Sequence, residues 1–167
     1  MRKGLFLMCC LLLMSLLIAG CHSSDDSVNQ DMEKPSSAWY VMDKNDSKIL
    51  VVKSNPKDVN NNGGYDAIWG SGDIEGVSIG DRVDIKVEGS VMESYPPQGK
   101  FGEVEILSEE KPEGATLSKS EALRKALSNM EHRLKMVEAI DFIEEKDMWS
   151  VKLQDGDEVL EVSVDDE

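Results

Sequence analysis

Five short apolar runs, separated by corners rich in Gly, Pro and Asn, make up residues 38–107 of this chain. The clearest run covers residues 82–92, where apolar and charged side chains alternate. A period of two residues is typical of a strand that buries one face. Short strands with Gly-rich corners and no helical pattern between them favour a small barrel. We therefore predict a mainly β fold with a small antiparallel barrel over residues 38–107, OB-like as the first choice and SH3-like as the alternative.

Four further runs complete this prediction, at residues 39–42, 49–52, 65–69 and 100–107. The polar run Asp43–Lys48 predicts a hairpin connection between the first two strands, and Gly89 predicts a bend or bulge in the longest strand. The acidic spacing after Asp43 is similar to that of a calcium loop. It lacks the Gly and the closing Glu that such a loop needs, because Lys48 and Ser54 stand there. We expect a solvated hairpin, and no metal or cofactor.

Residues 117–167 have a different pattern, which predicts a small α+β module. Ser118 and Glu121 form a capping box at the start of a helix. Apolar residues then follow on one helical face, at Leu123, Leu127, Met130 and Leu134. Three runs at residues 137–143, 149–153 and 160–164 predict a three-stranded meander, which the helix can cover on one face.

The N-terminal residues 1–20 predict a signal segment that ends at Cys21. Arg2 and Lys3 precede an apolar stretch at residues 5–17, which is shorter than the roughly 20 residues that span a bilayer. The segment Leu17-Ile18-Ala19-Gly20-Cys21, which closes this stretch, resembles the lipobox of bacterial lipoproteins. That resemblance implies lipidation of Cys21, cleavage before it, and attachment to the outer face of the cell membrane. The other two cysteines would be removed with residues 1–20, so no thiol chemistry is expected.

Residues 21–37 are polar and predict a flexible tether between this lipid and the folded part. The whole chain has a formal net charge of −15 at pH 7. Cleavage would remove only basic charges, so the mature chain would be more acidic still. A body of this charge is repelled by nucleic acid and by anionic lipid surfaces, and we expect no nucleic-acid partner.

Residues 38–107 resemble a family of uncharacterised lipoproteins of Gram-positive bacteria that is known only as a domain of unknown function. The resemblance depends on the following residues: Tyr40, Val41, Asp43, Ile49–Val52, Ala67–Trp69, Ile79–Val83, Glu93–Pro96 and Gln98-Gly99. It implies an OB-like barrel tethered outside the membrane and implies no activity. Residues 117–167 are similar, over short stretches at 121–123 and 149–151, to PepSY-type modules. These are associated with the control of peptidases and with envelope regulation.

One corner could present a binding site. Proline restricts its own backbone and that of the preceding residue, so Pro96 would present Tyr95 with little entropy left to lose. Together with Trp69 and Gln98, Tyr95 could bind a peptide or a glycan; the alternative is a packed turn. Neither His22 nor His132 has the partners that a catalytic or zinc site needs. We therefore expect a binding or regulatory protein rather than an enzyme, or alternatively an inhibitor-like protein that acts on an envelope partner through its C-terminal module.

Overall fold

The computed structural model describes residues 38–53, 67–131, 134–155 and 158–167. The predicted signal segment 1–20, Cys21 and the tether 21–37 lie outside the described residues. No helix within the described ranges is long and apolar enough to cross a membrane.

Five strands form a closed barrel in the first part of the chain. They are β1 (Trp39–Lys44), β2 (Ile49–Lys53), β3 (Ala67–Ser71), β4 (Arg82–Met92) and β5 (Gln98–Ile106). Their order around the ring is β1-β2-β3-β5-β4, and β4 pairs with β1 to close it. The predicted barrel is confirmed, but one pairing differs: β3 runs parallel to β5. Five strands cannot alternate in direction all the way around a ring, so one neighbouring pair must be parallel.

The interior of the barrel is filled by alternate side chains of the strands and by one aromatic ring. Val41, Ile49, Val51 and Val83 are fully buried there, around Phe101. The backbone of β3 passes so close to this ring that a Cβ at position 70 would lie 2.1 Å from it. Gly70 is therefore required to make room for Phe101.

A helix and a second sheet follow the barrel. They are α1 (Lys119–Leu127), β6 (Met136–Ile143), a short 3-10 helix (Glu144–Lys146), β7 (Met148–Asp155) and β8 (Glu158–Asp165). The sheet has the order β6-β7-β8 with antiparallel neighbours, so the predicted helix and meander are confirmed.

The helix is shorter than its apolar stripe predicts. It ends at Leu127, where Ser128 donates its hydroxyl hydrogen to the Lys125 carbonyl at 2.7 Å. Serine and asparagine compete for backbone hydrogen bonds and favour helix ends, which explains a stop at Ser128-Asn129. Met130 and Leu134 lie beyond the helix, although they still pack against the core.

The barrel and the second sheet share one hydrophobic core. The outward side chains of β1 and β2 are buried against α1 and the core face of the sheet; this core includes Tyr40, Met42, Leu50, Val52, Leu123, Leu127, Trp149 and Val151. Both strands are therefore apolar on both faces, which explains why they have continuous rather than alternating apolar sequences. The described part of the chain folds around two cores, one inside the barrel and one between the barrel and the module.

A close backbone contact joins α1 to the connection between β3 and β4. Gly80 has a φ of +92°, and a Cβ there would lie 2.2 Å from the Ser120 carbonyl oxygen of the helix. Arg124 donates from Nε to the Ile79 carbonyl at 2.7 Å and forms an ion pair with Asp81 at 3.3 Å. Only glycine allows the chain to approach the helix this closely in this conformation.

Candidate functional site

The predicted site residues Trp69 and Gln98 lie side by side on the outside of the barrel. Cross-strand pairing places Leu50, Trp69, Gln98 and Met92 in one row across β2, β3, β5 and β4. Burial falls along this row, from Leu50 at 3% exposed, through the partly buried Trp69 and Gln98, to Met92 at 65% exposed. The second sheet therefore covers one end of the row and leaves the other end open to solvent.

The β4–β5 connection, residues 93–97, lies at the open end of this row. The Tyr95–Pro96 peptide bond is cis, and the Ser94 hydroxyl donates to the Pro96 carbonyl at 2.8 Å. Pro97 is buried, and its carbonyl accepts from the Trp69 backbone N–H at 2.9 Å. These contacts fix the base of the connection to β3.

Tyr95 projects from this base and is 87% exposed. A packed turn would bury at least part of the ring. We use the name aromatic corner for Tyr95 and Pro96 of this connection together with the adjoining row residues Met92, Gln98 and the partly buried Trp69.

A lysine that the sequence did not single out is the polar partner of this corner. Lys48, in the β1–β2 connection, donates from Nζ to Gln98 Oε1 at 2.7 Å. The Gln98 side chain is thus held by a charge-assisted hydrogen bond. Its amide nitrogen and the remaining hydrogens of the lysine ammonium group are donors at the edge of an apolar surface. Such a combination can hold a ligand with an apolar face and oxygen acceptors.

A second tyrosine, Tyr40, is unsuited to contact a ligand. It is 7% exposed, and burial raises the pKa of its phenol to about 12, with the Glu109 carboxylate adding to the rise and the Arg82 guanidinium opposing it. Arg82 forms an ion pair with Glu109 at 3.3 Å, which links β4 to the segment after β5. This polar pair joins elements of the fold.

An open groove of about 550 Å³ lies beside the β1–β2 connection, between residues 44–46 and 72–75. Its lysine, Lys44, already donates to the carbonyls of Val77 and Ile74, at 2.6 and 3.2 Å. Asp46, Asp73 and Glu75 contribute acidic side chains. Within the described ranges, no three His, Cys, Asp or Glu side chains come together as a metal site.

Sequence reasoning placed Trp69, Tyr95, Pro96 and Gln98 near one another but missed Met92 and Lys48. Met92 joins the group only through its pairing with Gln98, and Lys48 through contact with a residue 50 positions away. Pairings between distant segments are set by the closed barrel and leave no local pattern. For Met92, the sequence contained one indication: the alternating pattern of β4 ends at this residue, next to the connection that carries Tyr95.

The fold and this corner define a class: a small closed β-barrel packed on a helix-and-sheet module, with an exposed aromatic corner. A sequence model of the family described as "Protein of unknown function (DUF3221)" matches residues 40–108. The match runs from Tyr40 in β1 to Ser108 just after β5, and so covers the barrel without the module. The resemblance of residues 38–107 to a family of unknown function is confirmed to this extent. Searches of curated proteins and of solved structures find no match to this chain.

Proposed function

We propose that this chain is a lipid-anchored binding protein of the cell envelope, which holds a peptide or a glycan at the aromatic corner. Cys21 carries the lipid, residues 21–37 form the tether, and the barrel presents the corner at the extracytoplasmic face of the membrane. Among the described residues, the observation that carries the proposal is Tyr95, which is 87% exposed on a connection whose base is hydrogen-bonded to β3.

The strand order supports an OB-like assignment for the barrel. OB-folds bind their ligands with the β2–β3 surface and with the β1–β2 and β4–β5 loops. Here the corresponding loops contribute Lys48 and Tyr95, and the bond from Lys48 to Gln98 connects the two regions. The outer surface of β2 is largely covered by the chain's own module. The free part of the surface is therefore narrow, and it suits a short segment of a ligand rather than an extended polymer.

The chemistry of the corner favours neutral or acceptor-rich ligands. Aromatic faces bind the apolar faces of sugars and side chains, while the Gln98 amide and the Lys48 ammonium group can donate to carbonyl, hydroxyl or carboxylate oxygens. Nucleic acid remains unsuited, because the strongly acidic body repels phosphates. None of these roles requires a nucleophile or a general base, so we propose binding without catalysis.

Intrinsic fluorescence offers a direct test. The chain has three tryptophans, and Trp39 and Trp149 are 8% and 0% exposed, so quenching by acrylamide reports mainly on Trp69. We expect an N-acetylglucosamine tetramer or a pool of random dodecapeptides to protect Trp69 from the quencher. Replacing Tyr95 by Ala should weaken this protection by about tenfold in ligand concentration, the usual effect of losing an aromatic anchor.

Ile106→Ala is the matched control for Tyr95→Ala. Ile106 is 48% exposed at the far end of β5, about 26 Å from Gln98 along the strand. This variant should bind like the wild type. Protection by neither probe, or an equal loss in both variants, would contradict the proposal.

The membrane attachment is tested separately. Replacing Cys21 by Ala should leave the chain as an uncleaved precursor or release it from the membrane fraction, because stable anchoring needs the two acyl chains that the lipid provides. Metabolic labelling with palmitate should mark the wild type and not the variant. Mature-size, membrane-bound Cys21→Ala protein would disprove the lipid anchor but would leave binding at the aromatic corner untouched.

A further inference from the structure

Strand β8 forms one edge of the second sheet, and its outer side has no neighbouring strand among the described residues. It pairs with β7 in an unbroken register over eight residues, from Asp155 opposite Glu158 to Met148 opposite Asp165. The other edge of the sheet, β6, lies close to barrel strand β2. A long, regular strand with one open side can accept a further strand from another chain.

The register identifies which backbone groups face outward. Asp166 donates its N–H to the Asp147 carbonyl, directly opposite in the same register. In an antiparallel pair, hydrogen-bonded and non-hydrogen-bonded positions alternate. The even-numbered residues of β8 therefore bond to β7. The odd-numbered residues, Val159, Glu161, Ser163 and Asp165, direct their backbone N–H and carbonyl groups to the open side.

The side chains along β8 differ between its two faces. On the core face, Leu160 is 43% exposed and Val162 partly buried, while Val164 is buried near α1. The apolar core of the sheet therefore reaches β8, but its side chains there remain partly exposed to solvent. On the opposite face Val159 is 56% exposed, and Glu161 and Asp165 are both exposed.

The charges along β8 indicate what kind of segment could pair with it. Of the basic residues nearby, Lys152 lies opposite Glu161, and Lys135 is engaged in an ion pair with Asp155. Glu161 and Asp165 place two carboxylates on the outer face, against the single ammonium group of Lys152, so β8 is net negative on this face. A second copy of this chain, itself at −15, would bring the same carboxylates to the same edge, and like charges across neighbouring strands are destabilising.

We propose that β8 accepts an extended, basic segment of a partner protein as a fourth strand of the sheet. Apolar side chains of that segment lie beside Leu160 and Val162 and extend the core. Lysine or arginine side chains lie on the other face, beside Glu161 and Asp165. This surface belongs to the C-terminal module and does not include the aromatic corner, so Tyr95→Ala leaves it intact.

The test uses the purified full chain and a labelled, end-blocked heptapeptide of alternating lysine and valine. We expect binding in fluorescence anisotropy, and slower amide hydrogen exchange at Val159, Glu161, Ser163 and Asp165. The same peptide with N-methyl groups on the residues that face β8 should not bind, because it lacks the donors for the new ladder. This comparison uses the wild-type protein, so it does not depend on the folding of any variant.

Charge selectivity is tested with two matched double variants. Glu161→Gln with Asp165→Asn removes the two carboxylates and keeps an acceptor for Ser150, whose hydroxyl donates to Glu161 at 2.6 Å. We expect binding about five- to tenfold weaker, the effect of two lost cross-strand ion pairs. Glu103→Gln with Glu105→Gln makes the same charge change at exposed positions of β5 and should bind like the wild type.

The proposal would be overturned by equal weakening in both double variants, by undiminished binding of the N-methylated peptide, or by exchange protection confined to the barrel. A dimer of this chain that protects the same four amides in the absence of peptide would also overturn it, because the occupant would then be a second copy.

Discussion

At the scale of single residues, Asp166 shows how a charged side chain holds distant segments together. Its carboxylate is buried and accepts hydrogen bonds from the backbone N–H groups of Thr116 and Leu117 and from the Trp149 indole, the last two at 2.8 and 2.7 Å. Burial alone would raise its pKa, but the hydrogen bonds from Thr116, Leu117 and Trp149 favour the ionised form and hold the pKa below its ordinary value. The residue thus joins the segment before α1 to the core of the sheet.

Replacing Asp166 by Asn should lower the melting temperature by several degrees. The amide keeps one acceptor oxygen but turns its NH₂ group toward an N–H donor, which leaves that donor without a partner in a buried place. Thermal unfolding followed by circular dichroism measures the effect. Asp165→Asn is the control, because Asp165 is exposed and its replacement should not change the melting temperature. Equal melting temperatures for Asp166→Asn and the wild type would show that the carboxylate contributes nothing to stability.

The same carboxylate predicts a pH dependence. Because the folded-state pKa of Asp166 is lower than the unfolded value near 3.8, the unfolded chain binds more protons in acid. The stabilisation is fully present above that unfolded value and is lost as the pH falls through the folded pKa. The difference in melting temperature between wild type and Asp166→Asn should therefore be constant near neutrality and shrink below about pH 3.8. A difference that grows in acid would contradict this assignment.

At the scale of elements, helix α1 depends on its first turn. The Ser118 hydroxyl accepts from the Glu121 N–H at 3.3 Å, and the Glu121 carboxylate accepts from the Ser118 N–H at 2.7 Å. The backbone and side-chain bonds from Ser118 lower the pKa of Glu121. The backbone N–H groups of Ser118 and Glu121 would otherwise be among the unsatisfied donors at the start of the helix.

Replacing Ser118 by Ala should lower the free energy of unfolding by about 1 kcal/mol, as expected for loss of an N-cap. The pKa of Glu121 should also rise toward its ordinary value, which titration by NMR can follow. Ser128→Ala, at the other end of the same helix, is the control and should cost less, because the Lys125 carbonyl that it releases lies at an exposed end. If Ser128→Ala lowered the free energy of unfolding as much as Ser118→Ala, the N-cap would contribute no more to stability than an ordinary hydrogen bond at a helix end.

Local patterns predicted most elements of this fold. The alternation over residues 82–92 coincides with β4, the capping box marks the start of α1, and the predicted bend falls at Gly89, which has a φ of +69°. The predicted end of α1 was wrong. The apolar stripe continues past Ser128, because Met130 and Leu134 pack against the core although they lie outside the helix. Such contacts depend on the path of the chain after the helix, and a helical stripe cannot specify that path.

At the scale of the whole molecule, the shared core could not be derived from the separate patterns of the barrel and the module. Its one signal was the continuous apolar sequence of β1 and β2, since a strand that faces water on one side alternates. The aromatic corner likewise depends on how the module packs on the barrel. Sequence reasoning identified Tyr95 and Trp69, but the solvent exposure of Tyr95 and the addition of Met92 depend on which part of the barrel surface the module covers.

Because the core is shared, we expect the barrel and the module to unfold in a single cooperative transition. Leu50 is 3% exposed and faces the module from β2, whereas its neighbour Val51 faces the barrel interior. Replacing Leu50 by Ala should cost about 2–5 kcal/mol, the usual range for a buried leucine. Amide hydrogen exchange under native conditions should show equal loss of protection at Val51 in the barrel and at Val151 in the module.

Val51→Ala is the matched control, since it creates a cavity on the other side of the same strand. It should also reduce protection at both probes, because neither side of β2 can open alone when each supports the other. A chain shortened to residues 1–116 would leave Met42, Leu50 and Val52 uncovered, and we expect it to aggregate rather than fold. If Leu50→Ala instead lowered protection only at Val151, the barrel would be an independent unit, and the module would be free to detach from the face next to the aromatic corner.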